Sequence, residues 1–128
     1  MRYVSTLKVT HQPQTPPPAA LMEAIAALGM EATRSGALVD FAGLKPVGAG
    51  GRVTLAGGAL TVTDGPFAES KELISYAVYD VRSREEAIEW ATRFVRLHQE
   101  HWAGWEGEAD VQQVFEAPPS PLPDPTRG

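Results

Sequence analysis

The fold is decided by the run Leu73-Ile-Ser-Tyr-Ala-Val-Tyr-Asp-Val81, whose apolar side chains alternate onto both faces of a predicted β-strand. One face is expected to carry Ile74, Tyr76 and Val78, and the other Leu73, Ala77, Tyr79 and Val81. A strand that is apolar on both faces belongs at the centre of a sheet and is covered on both sides.

Two helices and five further strands surround this strand in the predicted order. Ser83 and Glu86 form a capping box that starts a helix over residues 83–98, and a proline-rich stretch ends just before a helix over Ala19–Arg34. The other strands are predicted over residues 2–9, 37–41, 52–56, 59–63 and 109–116. This order predicts an α+β fold: a ferredoxin-like split β-α-β sandwich whose antiparallel sheet carries both helices on one face.

A β-hairpin is inserted between the two halves of this sandwich. A two-residue type I′ turn at residues 57–58 pairs Val53 with Val62 and Leu55 with Leu60. All four apolar side chains then lie on one face of the hairpin.

Length and composition exclude several classes of protein. The chain has 128 residues, no cysteine and a net charge of −5, so we expect one domain, no thiol chemistry and no nucleic-acid partner. The longest apolar run, residues 19–28, is interrupted by Glu23 and is too short to cross a membrane. We expect a cytoplasmic protein with one domain over residues 1–117 and a proline-rich tail over residues 118–128.

The predicted sheet has one face without helices, although its central strand is apolar on both faces. A second copy of the chain is the simplest cover, which predicts a homodimer packed sheet to sheet. In the alternative, the inserted hairpin and the tail fold over this face.

The run Val62-Thr-Asp-Gly-Pro-Phe-Ala-Glu-Ser-Lys-Glu72 resembles the signature of the DGPF family, also called YCII-related proteins. Residues 86–91 and 98–108 are similar to later segments of the family, and the resemblance covers residues 2–116. It implies a ferredoxin-like chain that dimerises into an α+β barrel, and many members are encoded beside sigma factors. The sequence contains no phosphate loop and no Rossmann fingerprint, so we expect no cofactor.

The resemblance also bears on activity. It implies a His–Asp catalytic pair, as in related YCII proteins, of which one is a lactone dehalogenase. Their histidine lies near the start of the first helix, and residues 19–24 of this chain contain none. Many relatives carry Glu-Val-Arg in the last strand, where this chain has Asp110-Val111-Gln112. Both departures count against a direct transfer of the enzymatic role.

The topology predicts a candidate site at one rim of the sheet, where the first strand ends and the central strand begins. His11 and Asp64 are the catalytic candidates, because a histidine beside a carboxylate suits proton transfer near neutral pH. The candidate ligand-binding or cleft residues are Asp40, Gly65, Pro66, Phe67, Glu69 and Lys71. In the alternative, Asp64 to Phe67 form only a tight turn and His11 is a solvated loop residue.

His98 and His101 are weak candidates for a metal site, because a spacing of three places two imidazoles on one helix face. Glu106 or Glu108 would add a carboxylate. The alternative is a histidine-rich helix end that interacts with the helix dipole.

These observations leave three hypotheses for function. The first is a dimer that binds a small apolar or aromatic metabolite in a cleft between sheet and helices. The second is a cofactor-independent lyase, isomerase or monooxygenase that moves a proton with His11 and a rim carboxylate. The third is a protein-interaction module linked to a sigma factor. Whether the protein is an enzyme stays open.

Overall fold

The computed structural model describes residues 1–45, 50–65 and 71–116. Its elements follow one another as β1 (Arg2–His11), α1 (Ala19–Arg34), β2 (Leu38–Gly43), β3 (Gly51–Ala56), β4 (Ala59–Asp64), β5 (Glu72–Asp80), α2 (Arg84–His101) and β6 (Glu106–Gln113). The predicted order is confirmed, and the fold is α+β. No helix in these ranges is long and apolar enough to cross a membrane. The predicted tail lies outside the described residues.

Four strands form an antiparallel sheet in the order β2-β5-β1-β6. The central strands β1 and β5 pair with each other. β1 also pairs with the edge strand β6, and β5 with the edge strand β2. This is the arrangement of a ferredoxin-like split sandwich, and it confirms the central position predicted for residues 73–81. β6 begins earlier than predicted because Glu106 already pairs with His11.

Both helices pack on the sheet face that carries Tyr3, Leu7 and Tyr79. One buried cluster joins Tyr3 and Tyr79 to Ala87 of α2, and a second joins Leu7 to Leu21 of α1. Leu21 is only 1% exposed, and full burial of such a side chain contributes about 1.5–3 kcal/mol to folding. The core of the chain therefore lies in this helix–sheet layer.

The other face of the sheet, which we call the open face, carries no helix from residues 1–45, 50–65 or 71–116. At its centre Val4 lies opposite Val78, and Thr6 lies opposite Tyr76. All four side chains are half-buried in the single chain. Asp110 of β6, which is exposed, lies opposite Thr6 on the other side. The open face is thus apolar at its centre and polar at its edge.

A β-bulge near the start of β5 changes the faces of two residues. Leu7 pairs with Ser75 and Lys8 pairs with Leu73, so Ile74 is an extra residue in β5. Ile74 packs against the cluster around Leu7, whereas Leu73 is 39% exposed. Simple alternation predicts the reverse placement of these two residues, and it is wrong here because the inserted residue shifts the register.

The helix boundaries follow from local capping. Gly36 adopts a φ of 81° after α1 and donates its N–H to the Thr33 carbonyl at 3.0 Å, as in a Schellman motif. Ser83 Oγ accepts the Glu86 N–H at 3.1 Å, which confirms the predicted N-cap of α2. The Glu86 carboxylate accepts the Arg82 N–H at 3.0 Å, so the return bond of the box goes to Arg82 and not to the cap residue.

β3 and β4 form a separate two-stranded sheet with the predicted register, in which Val53 pairs with Val62 and Leu55 with Leu60. Both turn residues at 57–58 have positive φ angles, 57° and 78°, as a type I′ turn requires. The four apolar side chains are 69–74% exposed. The hairpin therefore does not cover the open face, contrary to the alternative prediction.

Candidate functional site

The two catalytic candidates lie on different elements. His11 is the last residue of β1, lies opposite Glu106 and is exposed. Asp64 ends β4 opposite Gly51 and is also exposed. Within the described ranges, no hydrogen bond joins the imidazole of His11 to the carboxylate of Asp64. The proposed acid–base roles of this pair stay predictions.

Lys71, at the start of β5, is held by the edge strand β6. Its Nζ lies 2.5 Å from Glu108 Oε1, and this hydrogen bond raises the pKa of the lysine, as does the charge of Glu108. Beside it, Lys8 Nζ lies 3.5 Å from Asp110 Oδ2. These pairs place alternating charges at one end of the open face.

The DGPF turn itself is described only in part. Gly65 is half-buried and donates its N–H to the Gly50 carbonyl at 3.2 Å, which extends the ladder of the hairpin by one bond. The predicted site residues Pro66, Phe67 and Glu69 lie outside the described residues.

Asp40 lies away from the rim. It pairs with Val78, which is six residues from the Glu72 end of β5, a separation of about 20 Å at 3.3 Å per residue. Its Oδ2 accepts the Tyr76 hydroxyl at 3.1 Å, and this bond raises the pKa of the tyrosine. The expectation that Asp40 gathers with His11 is corrected, because β2 continues past Asp40 to Gly43 before it reaches that end of the sheet.

His98 is a core residue. It is 5% exposed, and its ring centroid lies 5.1 Å from that of Phe94 and 4.4 Å from that of Trp105. Its Nδ1 lies 3.0 Å from the Phe94 carbonyl, and burial lowers the pKa of the imidazole. His101, at the helix end, is half-buried. Among the residues that the structure describes, no three His, Cys, Asp or Glu side chains lie close enough together to hold a metal ion.

A cleft of about 870 Å³ lies between α2 and β6, and we call it the edge cleft. Its lining includes Ile88, Val95, Arg96, Trp102, Trp105 and Ala109. Sequence reasoning predicts a cleft between sheet and helices, but Trp102 and Trp105 are not among its candidate site residues. Both indoles are buried, at 7% and 8% exposure, and both also line the cleft.

The two tryptophans are held in different ways. Trp102 Nε1 donates to Thr15 Oγ1 at 3.3 Å. Trp105 Nε1 is buried and has no acceptor among the described residues, so that indole is positioned by packing alone. Gly107 permits this packing, because the Trp105 ring lies where a Cβ of residue 107 would be. In the sequence, the pattern that indicates this part of the edge cleft is a tryptophan with Gly104 before it and Gly107 after it.

Two much smaller cavities lie inside the helix–sheet layer of the described chain. One of about 40 Å³ lies between α1, α2 and β2, and one of about 10 Å³ lies above Ser5 and Ser75. An engineered cavity of about 150 Å³ is enough to bind benzene, so these spaces are too small for an aromatic ring.

One family model matches most of the chain. A comparison with curated proteins finds no match. The model of the YCII-related domain matches residues 1–103, from the first strand to just past the end of α2. The match thus includes both central strands and both helices. The chain belongs to the YCII-related family.

Proposed function

We propose that the protein forms a homodimer and binds a small apolar or aromatic metabolite in the edge cleft. The observation that carries this proposal is the size of the cleft, about 870 Å³, which lies within the range of about 300–1,000 Å³ typical of small-molecule sites. A metabolite in this position would contact α2 on one side and β6 on the other.

The lining of the cleft suits a ligand with an aromatic ring whose negative charge lies toward α2, because both carboxylates of the lining, Glu106 and Asp110, belong to β6. Trp102 and Trp105 offer large apolar surfaces, and Ile88, Val95 and Ala109 extend them. Arg96 lines the same cleft and forms no ion pair with a carboxylate within the described ranges. A guanidinium binds a carboxylate by two parallel hydrogen bonds, so we expect an aromatic acid to bind more tightly than a neutral ring.

The open face supports the homodimer. Its centre, formed by Val4, Val78 and Tyr76, is apolar, and neither helix covers it. Most soluble oligomers are symmetric dimers, and in a two-fold dimer the same face meets itself. The proton-transfer alternative has less support, because no described contact joins His11 to Asp64.

A thermal-shift experiment tests the ligand site. Benzoate and hydroquinone serve as charged and neutral aromatic probes. The variant Thr92→Trp fills the cleft from an exposed lining position, and Glu89→Trp places the same side chain on an exposed position of α2 outside the lining. A ligand at a concentration of 100 times its Kd adds about 2.7 kcal/mol to the free energy of unfolding. For a chain of this size, this raises the melting temperature by about 5–10 °C.

We expect benzoate to stabilise the native protein and Glu89→Trp, but not Thr92→Trp. An equal shift in Thr92→Trp would place the binding outside the cleft. If neither probe shifts any of the three proteins at millimolar concentration, the proposed ligand class is wrong.

A further inference from the structure

The hairpin of β3 and β4 exposes an apolar face that the described residues of its own chain do not cover. We call it the hairpin face; it consists of Val53, Leu55, Leu60 and Val62, each 69–74% exposed. An isolated two-stranded hairpin is at best marginally stable in water. Four large aliphatic side chains on one side of such a hairpin therefore indicate a surface that packs against something else.

We propose that the hairpin face packs against the second copy of the chain and forms part of the dimer interface. This inference rests on the homodimer proposed above. It adds a specific partner surface to that dimer, and it assigns a role to an insertion that the ferredoxin-like sandwich does not need for its own core.

The size of the open face supports this assignment. At about 3.3 Å per residue and 4.8 Å between strands, the flat outline of four strands of about eight residues measures roughly 500 Å². A standard protein–protein interface buries about 800 Å² on each partner. The exposed carboxylates of Asp40 and Asp110 reduce the apolar part of the open face further. The open face therefore offers limited apolar area to a dimer, and the hairpin face adds apolar area to the same contact.

The position of the hairpin in the chain favours a second copy over an unrelated protein. The hairpin is inserted between β2 and β5, which are neighbours in the sheet, so both of its connections lead to the sheet that carries the open face. A two-fold axis through the open face relates the two copies of the chain, so the dimer contains the hairpins of both copies. The same isologous contact then covers the open face and the hairpin face together.

Sedimentation of the full chain tests the inference with matched variants. Leu55→Glu places a charge on the hairpin face, and Thr54→Glu places the same charge on the opposite face of the same strand. We expect Leu55→Glu to raise the dimer dissociation constant by about 100-fold or more, as for an interface hot spot. The dissociation constant of Thr54→Glu stays within about 3-fold of the native value, because a solvated charge contributes little.

Val78→Glu on the open face separates this inference from the homodimer itself. If Val78→Glu dissociates the dimer and Leu55→Glu does not, the sheet-to-sheet dimer stands and the role of the hairpin is wrong. If only Leu55→Glu dissociates it, the hairpin is confirmed and the sheet-to-sheet contact is wrong. A native chain that stays monomeric at about 100 µM, far above the Kd of a specific dimer, overturns both.

A second measurement remains informative if Leu55→Glu does not fold. The chain has no cysteine, so Leu60→Cys and Thr61→Cys each introduce a single thiol on opposite faces of the hairpin. We expect maleimide to label Leu60→Cys more slowly as the protein concentration rises, while Thr61→Cys reacts at a constant rate. Equal behaviour of the two thiols would show that the hairpin face is not buried in self-association.

Discussion

Replacing Gly107 by alanine tests the packing that forms the wall of the edge cleft. A Cβ at this position would lie 2.5 Å from the Lys8 carbonyl oxygen and 2.9 Å from Cζ2 of Trp105, whereas ordinary contacts are 3.4–4 Å. The overlap with the backbone oxygen is about 1 Å, and Lys8 is fixed between β5 and β6. We therefore expect a loss at the upper end of over-packing costs, about 3 kcal/mol.

The measurement is a thermal or urea unfolding curve. A loss of about 3 kcal/mol lowers the melting temperature by about 10 °C in a chain of this length. The ring of Trp105 must also move, so the tryptophan fluorescence of the folded variant should change.

Gly43→Ala is the matched control for this change. Gly43 also lies in an edge strand, but a Cβ at this position would have no atom within 4 Å, and its φ is not positive. Its stability should stay within about 1 kcal/mol of the native chain, or rise slightly, because alanine restricts the unfolded chain. A Gly107→Ala protein that melts within about 2 °C of Gly43→Ala, less than the effect of about 1 kcal/mol, would refute the packing argument.

Three further predictions concern stability. Ser83→Ala removes the N-cap of α2 and should lower the free energy of unfolding by about 1 kcal/mol in urea titrations. Ser83→Thr should keep most of that stability. Leu21→Ala should cost about 2–5 kcal/mol because its side chain is fully buried, while Met22→Ala, 53% exposed, should cost less than about 0.5 kcal/mol. Burial lowers the pKa of His98 from its usual 6.5, so the unfolded chain binds the proton first as the pH falls. The stability that neutral His98 contributes is complete above pH 6.5 and is lost as the pH falls through its lowered pKa. Melting temperatures of His98→Leu, measured against pH, should lack this loss. A pH profile equal to that of the native chain would contradict the argument.

Local sequence patterns predicted the elements whose structure depends on near neighbours. The hairpin register and the N-cap at Ser83 depend on contacts within a few residues, so sequence reasoning identified both. The strand order followed from the order of the elements, because few topologies satisfy a β-α-β repeat with an inserted hairpin.

The same patterns failed where distant strands set the geometry. The bulge that exchanges the faces of Leu73 and Ile74 depends on the pairing of β5 with β1, and no periodicity within β5 announces it. Asp40 was expected at the rim because it is near the end of its strand, but β2 extends to Gly43 and its register sets Asp40 opposite Val78. His98 was a weak metal candidate by spacing, yet its environment is decided by Trp105, which arrives from the following turn.

The edge cleft shows how two small residues shape a candidate binding site. Gly104 has a φ of 89°, a conformation that other residues rarely adopt, and it turns the chain from α2 into β6. Gly107 then leaves the space that the Trp105 ring occupies. Without the first glycine the strand would leave the helix at another angle, and without the second the indole would be displaced from the wall. The candidate site therefore depends on two glycines that themselves line the cleft, and substitutions there should reduce binding by moving Trp105 even where the fold survives.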